Sequence, residues 1–169
     1  MAHAPAAVLV LTLFLTACAV GEPPTPALTP GAAGAADAIS TMGVRKPLYP
    51  NETPALRAKI VAAAQHYDLP VDLVQRLVIR ESSHQPRARN GPYYGLLQIL
   101  PQTARTMGYR GPDEGLLDAE TNLKYGVKYL RGAWLVAEGD PDEAIGWYAR
   151  GYYYEAKRKG LLRETGLKS

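Results

Sequence analysis

From Thr53 to Tyr148 the apolar residues recur three and four apart, and the gaps between these runs carry helix-capping pairs. That pattern admits a helical domain and leaves no place for a large sheet, because β-branched runs bounded by turn dipeptides are missing. Thr53-Pro54 reads as an N-cap followed by proline at the first helical position, and Ala55 to Tyr67 supplies Leu56, Ile60, Val61 and Ala64. A second helix starts at Pro70 or Val71, with Leu73, Val74, Leu77 and Val78 as its stripe. Pro101 opens a third that Gly108 ends. Asp118 to Ala137 forms the longest pattern, with Leu123, Val127, Leu130 and Trp134, and Asp140-Pro141 caps a fifth helix that carries Ala144, Trp147 and Tyr148. The fold class expected is mainly α, a helical domain over residues 51–169 with little or no sheet.

The N-terminal part of the chain obeys other rules. All 19 Lys and Arg and 14 of the 16 acids lie from residue 45 onward, a net charge of +5, while residues 1–44 hold only Glu22 and Asp37. Ala6 to Leu15 is an apolar run too short for the ~20 residues of a membrane span, and residues 1–17 read as an export signal. Residues 18–50 are rich in Pro, Ala, Gly and Thr without apolar periodicity, so a disordered tether is expected there. Leu15-Thr16-Ala17-Cys18 resembles a bacterial lipobox. The resemblance implies lipidation of Cys18, a membrane tether on the periplasmic side and, with Ala19 in place of Asp after the cysteine, the outer membrane. One Cys and His3, His66 and His84 offer no spacing for a zinc or iron-sulfur site, and neither metal nor cofactor is expected.

Glu81 stands out by position. It follows Leu77 by four residues and Val78 by three, so it continues the apolar face of its helix. A carboxyl there is partly desolvated, which raises its pKa and suits it to donate a proton at neutral pH. A structural ion pair with Arg80, Arg76 or Lys59 explains the same position equally well.

Three segments, in order, are Arg80-Glu81-Ser82-Ser83, Gly95-Leu96-Leu97-Gln98-Ile99-Leu100-Pro101 and Asn122-Leu123-Lys124-Tyr125-Gly126-Val127-Lys128-Tyr129-Leu130. Together they resemble the soluble lytic transglycosylase domain, which shares its helical fold with goose-type lysozyme. The resemblance implies Glu81 as the single catalytic acid and then base, acting on peptidoglycan glycan strands. It places Ser82, Gly95, Leu97 and Gln98 in the wall of a sugar groove and Asn122, Tyr125 and Tyr129 on the helix behind it. The Gln98 amide can donate to and accept from a sugar or N-acetyl group. Trp147-Tyr148-Ala149-Arg150-Gly151 departs from the family's Ala-Tyr-Asn-Ala-Gly: Tyr148, the family's partner for the acid, is kept, and Ala149 replaces the Asn. A lysozyme-like muramidase or a weakly active wall-binding lipoprotein would use the same scaffold.

Asp113, Asp118, Asp140 and Asp142 sit beside Pro, Gly or helix starts, where caps and turns account for them. Among the 11 tyrosines, Tyr94 and Tyr152 are the expected sugar contacts from the runs Tyr93-Tyr94 and Tyr152-Tyr153-Tyr154. The basic C-terminal end reads as a solvated helix end. Export argues against nucleic acid as a partner, and a monomer is expected.

Overall fold

The computed structural model describes residues 46–168; the expected export signal, Cys18 and the expected tether up to residue 45 lie outside them. The described residues form six α-helices, a short 3-10 segment and one two-stranded hairpin. Helix α1 (Pro54–His66) opens on the Thr53 hydroxyl, which accepts from the Leu56 amide at 3.1 Å. Helix α2 (Val71–Ser82) ends at Ser83 in the left-handed region. The hairpin pairs β1 (Arg89–Asn90) with β2 (Tyr93–Tyr94) in antiparallel register, Arg89 opposite Tyr94.

Helix α3 (Pro101–Thr106) and a 3-10 turn at Asp113–Leu117 follow. Helix α4 (Ala119–Val136) is capped by Asp118, and α5 (Pro141–Arg150) by Asp140, whose carboxylate accepts from the Asp142 and Glu143 amides. Helix α6 (Tyr153–Arg158) completes the order. Caps, prolines and apolar spacing therefore fix the helices where the sequence expects them, α4 within a residue of each end. The fold is mainly α.

Ile60, Val74, Leu77, Val78, Val127 and Leu130 have no exposed surface and form one core between α1, α2, α4 and α5. A smaller cluster of Tyr94, Ile99, Ala104, Tyr109 and Leu116 sits under the hairpin and the loop after it. Gly126 is what lets that loop meet α4: a Cβ there would fall 2.5 Å from Cδ1 of Leu97, so a larger residue would push the loop off the helix.

Packing also begins ahead of the expected boundary. Arg57 Nη2 donates to the Pro47 carbonyl at 2.8 Å, and Arg57 Nη1 to the Lys46 carbonyl, so residues 46–50 lie on the domain instead of belonging to the tether. Composition misses this because the contacts run through backbone carbonyls, which every residue has.

Candidate active site

Glu81 occupies the last turn of α2, one turn beyond fully buried Leu77 and Val78. Helix phase thus carries it to the rim of the core, and its side chain stays 20% exposed. Burial pushes the carboxyl up, and the Arg80 guanidinium opposes this in part. Arg80 Nε stands 3.5 Å from Oε1, too far for a hydrogen bond, and no described residue donates one to the carboxylate. Arg76 and Lys59, the other cations that could have neutralised Glu81, pair instead with Asp142 and Glu120. Of the three ion pairs the position admits, only the long one to Arg80 is formed, and it leaves the carboxyl without a hydrogen-bond donor among the described residues.

The loop Gly95–Gln98 is bolted down from three sides. From α4, Asn122 Oδ1 accepts from the Leu97 amide at 2.9 Å, while its Nδ2 donates to the carbonyls of Tyr94 at 2.8 Å and Leu116 at 2.7 Å. From α5, the Tyr148 hydroxyl donates to the Leu97 carbonyl at 2.9 Å. From the loop itself, Gln98 Nε2 donates to the Gly95 carbonyl at 2.9 Å and the Ala88 carbonyl at 3.2 Å. Every polar group of the Leu97 backbone is therefore satisfied by a side chain from a distant helix.

These bonds reassign several expected sugar contacts. Asn122 has no exposed surface and all its bonds run to backbone, so it holds the wall from behind. Leu97 is fully buried, and the Ser82 hydroxyl turns back on the Val78 carbonyl at 3.3 Å. Gln98 keeps only its oxygen as a free acceptor among the described residues, since both amide hydrogens face carbonyls. Gly95, at φ +72°, forms the turn.

Tyr148 does not hydrogen-bond the acid as the resemblance implies, because its hydroxyl proton goes to Leu97. It is nonetheless a neighbour: burial, and then the Glu81 charge, push its own pKa far up. Ala149 is exposed, and Arg150 lies over the Trp147 ring, 3.8 Å from its centroid, so nothing at that turn replaces the missing Asn.

The two tyrosines expected at the sugar are the buried members of their runs. Tyr94 is buried with Arg89 over its ring at 4.3 Å, whereas Tyr93 is the exposed one of the pair. Tyr152 is buried against Tyr129, donating to its carbonyl at 2.8 Å, whereas Tyr153 and Tyr154 face solvent. Behind the catalytic helix end the sequence also missed a buried polar network of Glu52, Arg57, Gln75 and His84. A capping-type Glu before Pro54 and one isolated His carry no spacing signal that could have joined them.

A half-buried acid at the end of a core helix and a loop clamped by two other helices thus meet at Tyr148, which neighbours the one and bonds the other. Residues 59–164, more than half of the chain, match the transglycosylase SLT domain family, and the chain belongs to that family. Membership carries a lytic transglycosylase-like action on peptidoglycan and implies that peptidoglycan is the substrate bound. No solved structure matches the chain.

Proposed function

We propose that this protein is a lytic transglycosylase that cleaves the β-1,4 bond between N-acetylmuramic acid and N-acetylglucosamine and leaves 1,6-anhydro-muramyl ends. The observation that carries the reading is Glu81: half-buried, raised in pKa and held only by a long ion pair to Arg80, with no hydrogen-bond donor among the described residues. In the first step protonated Glu81 gives its proton to the glycosidic oxygen. The C1–O bond breaks, N-acetylglucosamine leaves with its 4-hydroxyl, and the muramyl 2-acetamido oxygen bonds to C1. In the second step the Glu81 carboxylate takes the proton of the muramyl 6-hydroxyl, O6 attacks C1, and the acetamido group is released. The acid is restored and no water is consumed.

Glycosidases that use water or a covalent route need a second carboxylate near the first. The four aspartates beside turns and helix starts are occupied elsewhere: Asp113 pairs with Arg105, Asp142 pairs with Arg76, and Asp118 and Asp140 cap helices. Attack by the sugar's own hydroxyl replaces the positioned water, with the high effective molarity of an intramolecular step. Mass spectrometry of products from purified cell wall tests this. Ends one water lighter than free reducing ends are expected; only reducing ends would mean a muramidase.

The chain is further read as an outer-membrane lipoprotein facing the periplasm, supported by the Leu15-Thr16-Ala17-Cys18 segment. Cys18→Ser is expected to move the protein from the membrane fraction to the soluble fraction on cell fractionation. Equal membrane retention of the variant would remove the lipid anchor from the account.

A further inference from the structure

The segment Lys46–Thr53 precedes the family match, which begins at residue 59, yet it packs on the end of the catalytic helix. It is held by an ion pair with no exposed carboxylate surface. Glu52 accepts from Arg57 Nη2 at 2.5 Å, Arg57 Nε at 3.1 Å, Gln75 Nε2 at 2.8 Å and the Tyr49 amide at 3.0 Å. Burial disfavours the Glu52 charge, but these bonds outweigh it and hold the carboxyl down at about 2, so the clamp is closed throughout the neutral range.

What the segment touches is the turn after Glu81. Ser83 and His84 both adopt left-handed backbone, φ +49° and +61°, a conformation that costs a non-glycine residue roughly 1–2 kcal/mol and persists where surroundings impose it. The surroundings here come from the segment and its clamp. Asn51 Nδ2 donates to the Ser83 carbonyl at 3.1 Å, and the Tyr49 ring stacks on the His84 imidazole at 5.3 Å and 10°. His84 Nε2 donates to Gln75 Oε1 at 2.8 Å, which returns to Glu52 through the same amide. His84 has no exposed surface, and its Nδ1 is buried without a partner. The ring is thus seated for its shape and one hydrogen bond, at the expense of the other nitrogen.

We propose that Lys46–Thr53 is a strap that positions Glu81: by holding the Ser83–His84 turn closed it keeps the last turn of α2 wound and the acid half-buried. Tyr49, Asn51 and Glu52 are positioning residues on this reading, which rests on Glu81 being the proton donor. An unpinned helix end frays, since its final carbonyls lack intrahelical partners. A frayed last turn would expose the Glu81 carboxylate to water and let it ionise at lower pH.

The test is the pH profile of wall cleavage by the full chain carrying Tyr49→Ala, Asn51→Ala or Tyr49→Phe, with Glu81→Gln alongside. The charged and titratable groups facing Glu81 are Arg80 on its own helix and Tyr148 from α5, and none of the strap substitutions alters them. Activity that needs protonated Glu81 falls as pH rises through its pKa. Tyr49→Ala and Asn51→Ala are therefore expected to move this alkaline limb to lower pH, with up to about tenfold loss beyond it, a factor of ten per unit of displacement. Tyr49→Phe keeps the stacked ring and is expected to keep the wild-type limb. Folded Tyr49→Ala and Asn51→Ala proteins that melt lower but hold the wild-type limb would show a strap that only stabilises, and the proposal would be overturned. Persisting activity in Glu81→Gln would instead overturn the proton-donor reading, whatever the strap variants do.

Discussion

Glu81→Gln is expected to give a folded protein whose release of muropeptides from cell wall is slower by roughly 10²–10⁴-fold, the range for losing a general acid–base group. The same substitution is expected to raise the melting temperature at neutral pH. Burial lifts the Glu81 pKa in the folded chain above its ordinary value, so between the two values the folded chain keeps a proton that the unfolded chain has released. Stability contributed by this group falls as pH rises through that window, and above it the ionised carboxylate remains unfavourable. Glutamine removes that burden. Thermal melts at neutral pH and below the ordinary carboxylate range check the sign: the gain should be present in the first and vanish in the second. A neutral-pH melt lower than wild type would mean that the carboxylate makes favourable contacts, against its role as a poised acid.

Gly95→Ala is expected to be the most damaging single change to the loop. Gly95 has φ +72°, and an added Cβ would land on the Leu116 carbonyl oxygen and on Nδ2 of Asn122, well inside contact distance. The left-handed backbone alone costs alanine roughly 1–2 kcal/mol. Displacing Asn122 would then strip bonds from the Tyr94 and Leu116 carbonyls and the Leu97 amide, each buried group left unpaired costing roughly 1–3 kcal/mol. A loss of about 4 kcal/mol or more is expected in chemical denaturation, together with loss of wall cleavage in whatever fraction stays folded. A variant within about 1 kcal/mol of wild type would show that the loop slides off α4 without breaking those bonds, a freedom the argument from buried groups does not allow.

The helices were legible because their signals are local. Thr53-Pro54, Asp118 and Asp140-Pro141 each bring the capping oxygen and the first-turn residues within a few positions of one another. The hairpin was not legible, since two residues per strand are too few to establish alternation. The tyrosine runs are instructive. A run must place one ring inward and another outward, but which one depends on the turn at Gly95 and on the start of α6, and both are set by contacts far away.

The partial burial of Glu81 was legible because helix phase ties it to Leu77 and Val78. The duties of the residues around it were not. Asn122 lies in the family's motif and reads as part of the helix behind the groove, yet which groups it holds is hidden, since its partners are 28, 6 and 25 residues distant in the chain. Nothing in its neighbours announces them. The Glu52 network shares this difficulty, with Gln75 and Glu52 separated by 23 residues. Long-range polar contacts of this kind follow from the packing of helices and precede it nowhere in the sequence.

The hydrogen bond from Tyr148 to Leu97 joins residues 51 apart, across α3, α4 and most of α5. A chain that stops short of α5, through early termination or a cut in an exposed turn, can hold Glu81 and the whole Gly95–Gln98 segment and still lack the bolt on the Leu97 carbonyl. On the proposed function, wall cleavage is thereby withheld from fragments that lack α5. For an enzyme of that kind the late bolt works as an interlock, closed only once α5 is in place.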